Sequence, residues 1–414
     1  MGFQQGLSGL SVAAKTLDVI GNNIANAAVA GFKSSSVQFG DLYADSLGGA
    51  GATPVGIGAL VQSVAQQFTQ GNITNTNNPL DVAIHGNGFF RLEDKGVVTY
   101  SRNGQFHLEK DGTIANASGN KLTGWPVGME ANQDAKDIKI LSMNLEKMPP
   151  LATSKVIIGM NLNAGSDILE DPTATFDPDD STTYTNSTSA TIYDTLGGQH
   201  AATIYFGKTG PGAYDVNFVV DGVSLPADKT SITFDSFGKN NTTGLTPKLV
   251  TPISSVLPLV PAAGTILASP FTLDMTSWTQ YDSSFSVSKL VQDGYSAGVL
   301  ANFAVTNNGQ VMAHYDNGQT RSMGSIVLAN FESVNGLQSD GANQWKQTFE
   351  SGNAFLGIPG DSSFGDLQSS AIEDSNVDLT TQLVDMITAQ RIYQANAQSI
   401  KTQDQVLQTL VNLR

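Results

Sequence analysis

Apolar residues recur at alternating steps of four and three at both ends of the chain. At one end they are Phe3, Leu7, Leu10, Ala14, Leu17 and Ile24, and at the other Leu379, Leu383, Met386, Tyr393, Ala397, Ile400, Leu407 and Val411. That spacing holds one stripe of an α-helix, and such a stripe calls for a helical partner. Between the ends the period falls to two. Leu80, Val82 and Ile84 alternate, Gly86-Asn87-Gly88 turns the chain, Phe89 to Leu92 extends, and Asn103-Gly104 sets up a hairpin before Phe106 and Leu108. The pattern predicts a mainly β protein. Two or more β domains, barrel- or sandwich-like, are nested between N- and C-terminal α-helices that pair as a coiled-coil stem.

Finer reading divides the chain. Residues 1–30 form the first stem arm, with weak helix chemistry: Gly2, Gly6, Gly9 and Gly21 each cost about 1 kcal/mol relative to Ala. The arm is therefore expected to be disordered in the monomer and to fold only when packed. Its polar face carries Gln4, Gln5, Ser8, Ser11, Asn22, Asn23 and Asn26, with only Lys15 and Asp18 charged. Residues 31–75 read as a flexible connector, because 41–60 is rich in Gly and Ala and contains Pro54. The first β domain occupies 76–147 and returns, with a connector, over 285–370. An internal echo supports this division: Phe106-x-Leu108-x-x-x-Gly112-x-Ile114 matches Phe303-x-Val305-x-x-x-Gly309-x-Val311. Residues 148–284 read as an inserted outer β domain, introduced by Pro149-Pro150, with strands at 191–193, 203–206 and 216–220. It bears an exposed acidic loop of Asp167, Glu170, Asp171, Asp177, Asp179 and Asp180. The second arm, 371–414, starts near a capping Ser375 or Asn376 with Asp378 in the first turn, and then has no Gly or Pro.

Composition narrows the function. A chain of 414 residues exceeds one core, and its charged fraction of 14% is low, as in turn-rich β proteins. The net charge of −16, without a basic run, argues against a nucleic-acid partner. Cys is absent, so disulfides and thiolate chemistry are excluded. No stretch has the apolar length of a secretory signal or a membrane span, and Gly6 stands where a myristoylation pattern needs Ser or Thr. The four histidines, His85, His107, His200 and His314, lie far apart, the acidic loop lacks calcium-loop order, and the Gly-x-Gly pairs lack the rest of a nucleotide fingerprint. No catalytic residue, metal site or cofactor is predicted.

Several motifs converge on one family. Leu7-Ser8-Gly9-Leu10, then Leu17 through Asn26 with Asn22, Asn23 and Asn26, then Gly31-Phe32-Lys33, resemble the N-terminal signature of bacterial flagellar rod and hook axial proteins. Asn78 through Phe90, Ser101-Arg102-Asn103-Gly104-Gln105-Phe106, Asn376-Val377-Asp378-Leu379 and Met386 through Asn396 resemble that family equally. The inserted domain points to its hook branch, since distal rod proteins generally lack one of that size. The resemblance implies a structural subunit that polymerises with itself into a curved helical tube, a flexible universal joint transmitting torque from rod to filament and enclosing the export channel. The terminal helices would form the inner wall, the first β domain the middle layer and the inserted domain the outer layer. Implied partners are the distal rod protein, the hook cap protein, the hook–filament junction protein and the flagellar type III export apparatus. Export to the cell exterior would proceed without a cleavable signal peptide and without membrane insertion. Rival readings are a distal rod protein and, from other classes, a cell-wall-acting enzyme with an unidentified carboxylate pair or a surface adhesin.

Overall fold

The computed structural model describes residues 3–42, 58–128, 137–143, 145–224, 230–241, 248–249, 272–361 and 363–412. The chain is mainly β between two terminal helices, α1 (Phe3–Ala25) and α2 (Leu379–Asn412). It divides into two compact units, one of 1–145, 301–314 and 320–414, the other of 146–300 with 315–319.

The first unit is one domain made from separated segments. Its main sheet runs in the order Leu300–Val305, Gln310–Tyr315, Thr320–Ile326, Lys121–Trp125, Phe89–Asp94, Val97–Ser101, Gln344–Lys346 and Gln338–Gly341. The returning segment joins the earlier one where Ser325 and Ile326 pair antiparallel with Trp125 and Gly124. Val82, Ile84, Phe90, Leu92, Phe106, Leu122, Val305, Val311 and Ile326 share one core, and Phe89, Tyr100, Phe331 and Trp345 pack edge to face in a second. Both members of the internal echo are hairpins with the same turn. Glu109 N–H donates to Thr113 O and Gly112 N–H to Glu109 O, as Thr306 N–H does to Gln310 O and Gly309 N–H to Thr306 O.

Two short pairings position the stem. Asp366–Ser369 runs antiparallel to Val82–His85, and Ala371–Glu373 to Ile73–Asn75. They carry the chain from the β core to the start of α2, close to where the N-terminal arm leaves.

The connector over 31–75 requires correction. Residues 43–57 lie outside the described residues, but β1 (Ser35–Leu42) and β2 (Gly58–Gln66) flank them and pair antiparallel, from Ser35 opposite Gln66 to Leu42 opposite Gly58. Val37 and Phe39 alternate with Ser36, Gln38 and Gly40, so a short period of two was present before the Gly-rich stretch, whereas Leu60-Val61-Gln62-Ser63-Val64 after it does not alternate. In the single chain α1 packs along α2 and against both these strands.

In the second unit, Lys155–Asn163 lies between Ser286–Gln292, antiparallel on one side, and the parallel strands Thr272–Asp274 and Trp278–Tyr281 on the other. Val156, Ile158, Met160 and Leu162 alternate onto one face and bury against Ile192, Ile204, Phe206, Val216 and Phe218 of the meander Asn186–Tyr193, Gln199–Gly210 and Ala213–Val220. Period-two patterning thus yields two facing sheets with a shared core. Buried Trp278 donates Nε1–H to Ile158 O at 2.9 Å, and Tyr214 OH to Asn163 O at 2.8 Å. This unit extends beyond the expected 148–284. Ser286–Gln292 is one of its strands, and the bridges Met148–Gly298 and Leu151–Tyr295 make its neck an antiparallel pair. Six of the seven residues Ser286–Gln292 pair with Lys155–Asn163 across one bulge, which places this strand inside the unit and not after it.

Candidate functional site: the stem and its root

The two helices run antiparallel. Gly6 lies under Ile400, where a Cβ would come within 2.9 Å of Ile400 Cγ1, Gly9 lies against the Asn396 side chain, and Asn23 Nδ2 donates to Gln382 Oε1 at 3.0 Å. The face of α1 buried most deeply is Gly6, Ala13, Ile20 and Asn23, and on α2 Ala389 is buried. Here Gly6 and Gly9, which weaken α1 as an isolated helix, make room for the Ile400 and Asn396 side chains of α2.

The predicted seam is displaced from this contact. Gly6, Ala13 and Ile20 precede Leu7, Ala14 and Gly21 by one residue, a rotation of about 100° around a helix. Phe3 and Leu7 are exposed, while Leu10, Ala14, Leu17 and Ile24 are half-buried. On α2, Leu379, Leu383, Tyr393, Leu407 and Val411 are exposed, and Met386, Ala397 and Ile400 half-buried. Among the described residues, Ile400 is the member of the predicted α2 stripe that sits directly over an α1 glycine. Reading large side chains alone placed the seam on the residues left open, because small residues fill the closer contact. Together with Val384, Ile387, Ile392 and Val406, the open stripe leaves an apolar surface along much of α2.

Below the helices lies a polar root. Gly31, with φ of 70°, turns the chain out of the arm so closely against Arg102–Asn103 that a Cβ would sit 2.5 Å from Asn103 N. Lys33 then points inward. Its Nζ donates to Glu373 Oε1 at 2.6 Å and Thr69 O at 2.8 Å, with both charged side chains fully buried. Glu373 Oε1 also accepts from Gly71 N, and Oε2 from Arg102 Nη1 at 3.2 Å. Arg102 continues through Nη2 to Gly86 O, and its guanidinium lies 5.3 Å from the Phe89 ring centroid. Burial pulls the Lys33 ammonium below the usual lysine range, with Glu373 opposing this and Arg102 adding to it. Burial likewise lowers Arg102 against the pull of Glu373.

Amide side chains complete the root. Asn23 accepts from Ser35 N through Oδ1 and donates to Ser35 O through Nδ2, which makes it part of both the helix pair and the start of β1. Asn376 accepts from Ser34 N and donates to Gln67 O and Thr69 Oγ1. Of the motif residues, Asn23, Gly31 and Lys33 are brought together here, and Phe32 is half-buried beside them. Asn26 only bonds back to Asn22, which is exposed. Neither Ser375 nor Asn376 caps α2: Asp378 does, accepting from Thr380 N at 2.8 Å and from Thr381 Oγ1. Glu373 and Arg102 were missed as root residues. Arg102 lay within the motif Ser101–Phe106 but with no partner indicated, and Glu373, next to Asp374, carried no signal beyond being a charge in a charge-poor chain.

Four family models match the chain in order. They are the flagella basal body rod protein over 3–33, the flagellar hook protein FlgE/F/G D1 domain over 83–143, the flagellar basal body protein FlaE D2 domain over 161–295, and the flagellar basal body rod FlgEFG protein C-terminal over 368–413. The chain is 40% identical to the flagellar hook protein FlgE of Escherichia coli K12 over 422 residues, covering all of both chains. It is 41% identical to that of Salmonella typhimurium over 423 residues, again over all of both. Against that of Borreliella burgdorferi it is 30% identical, covering 99% of this chain and 98% of the relative. Among solved structures, the Helicobacter pylori flagellar hook protein FlgE2 shares the fold with a TM-score of 0.53 at 14% identity, over 72% of this chain and all of that one.

Proposed function

Because this chain belongs to the flagellar hook protein family, whose members are structural subunits of the hook, we propose that its stem is the surface through which copies assemble into the tube. The observation that carries this reading is the open apolar stripe. Leu379, Leu383, Ile387, Leu407 and Val411 on α2, with Phe3 and Leu7 on α1, stay exposed after the two helices have packed on each other. Each such side chain contributes roughly 1.5–3 kcal/mol when fully buried, so several in one interface offset the ordering of two long arms. The stripe keeps the helical spacing of a seam, so another helical stem fits it.

The role is structural and not catalytic. Uncharged polar residues, Gln4, Ser11 and Asn22 among them, are exposed on α1 of the single chain. They suit a channel wall past which unfolded chains slide without being held by ion pairs. The tube serves as a flexible universal joint at the cell exterior, built from subunits delivered by the type III export apparatus. It grows under the hook cap protein, meeting the distal rod protein at one end and the hook–filament junction protein at the other.

The test is the double variant Leu383→Glu/Leu407→Glu of the full chain. We expect unchanged near-ultraviolet circular dichroism of the β units and loss of tubes by electron microscopy and of hooks on cells. Tubes of normal length and yield would remove the stripe from the assembly surface.

A further inference from the structure

Charges from three distant parts of the chain meet at the stem root, out of reach of water. Lys33 and Glu373 side chains are 0% exposed and Arg102 5%. Two cations share one anion, so the members are not equivalent. Without Lys33, the Arg102–Glu373 pair is still whole, Gly71 N–H keeps its acceptor, and Thr69 O still receives Asn376 Nδ2. Without Glu373, two buried cations face each other with no counter-charge. Lys33 is therefore not needed to neutralise the pocket. What it adds is a connection from the N-terminal arm to the residues that open α2.

The same connection is made repeatedly. Gly31 N–H donates to Glu373 O at 2.7 Å, Ser34 N–H to Asn376 Oδ1 at 2.8 Å, and Asn23 binds both Ser35 and Gln382. Each segment thus completes polar groups that the other buries. A buried network of this kind costs free energy when half made and stabilises only when complete. Its best attested use is to fix register. Register matters here, because Asn23 opposite Gln382 at one end of the antiparallel pair sets Gly6 opposite Ile400 at the other. A slip by one turn would set larger residues where the glycines allow contact.

We propose that the Lys33–Glu373–Arg102 cluster is a register latch that makes the ordering of residues 23–35 and of the start of α2 a single event. The latch is a property of the single chain and goes beyond the assembly role of the open stripe. It means that neither arm is set in place without the other, so the stripe presented to neighbours is always in one axial alignment.

Hydrogen exchange of the full-length chain, read by mass spectrometry, tests this with Lys33→Met and Glu373→Gln. The segments 28–36 and 373–385 should both be protected in the wild type. Both should exchange faster together in each variant, by roughly tenfold for Lys33→Met and on the order of 100-fold or more for Glu373→Gln. Strands Phe89–Asp94 and Val97–Ser101 should keep their protection in Lys33→Met. Should Glu373→Gln fail to fold, Lys33→Met decides alone, because it leaves the Arg102–Glu373 pair intact. Acceleration confined to 28–36, equal acceleration of Phe89–Ser101, or an unprotected root in the wild type would each overturn the latch.

Discussion

His200 stands between two carboxylates in the inserted unit, its Nδ1 2.6 Å from Asp221 and its Nε2 3.4 Å from the buried Asp194. Burial alone would push its pKa down. Hydrogen bonds and charge from Asp221 and Asp194 outweigh that and raise it above the ordinary value. A histidine with a raised folded pKa contributes stability that is fully present below its unfolded value, about 6.5, and is lost as pH rises through the folded value. Calorimetry should therefore find wild type more stable than His200→Gln below about pH 6.5, with the gap closing as pH rises through the raised folded value. A gap independent of pH would assign His200 a purely packing role. No spacing rule could have found this trio. Asp194 and His200 flank a turn, but Asp221 enters only through the pairing of Gln199–Gly210 with Ala213–Val220. The root is a mixed case at the same scale. Lys33, Gly31, Asn23 and Arg102 were legible as motif residues, whereas Glu373 acquires meaning only from the pocket that buries all three charges.

At the scale of the element, α1 shows local propensity and tertiary contact pulling in opposite directions. Ala at both Gly6 and Gly9 would favour an isolated helix by about 1 kcal/mol each. In the stem the new methyls would meet Ile400 and Asn396 at less than 3 Å. We expect Gly6→Leu/Gly9→Leu to raise the helicity of a peptide of residues 1–30, while in the full chain it should force α1 off α2 and reduce tube yield severalfold. Circular dichroism and electron microscopy read the two effects separately, and undiminished tube yield would contradict the close contact. The existence of both helices was legible because their period of 3.6 persists for many turns. Which face of α1 meets α2 was not, since hydrophobic size ranks Leu above Gly and the contact is made by the smaller residue. The pair β1 and β2 escaped notice for a related reason: turn-forming composition between two strands dominated the short alternating run before it.

For the whole molecule, the separation of arms from β units predicts what truncation does. Deleting 1–30 or 376–414 should leave soluble chains with folded β units that form no tubes, checked by calorimetry, sedimentation and electron microscopy. Normal tubes from either would contradict the stem. The first deletion also removes Asn23 and the Ala30 carbonyl that accepts from Asn343, and the second removes Asn376, so each should loosen the root as well. By itself the sequence determined the classes of element and their order, helix, strands, helix, because periodicity and turn chemistry are local properties that each segment carries alone. It also determined the family, through motifs concentrated where the chain enters and leaves the stem. Tertiary structure alone decided the antiparallel register of α1 and α2, the small-residue face between them, the extent of the inserted unit and the buried charge cluster. Each of those depends on which distant segments exclude water from one another, and that is set by the closed pairing of strands and helices, not by any run of neighbouring residues.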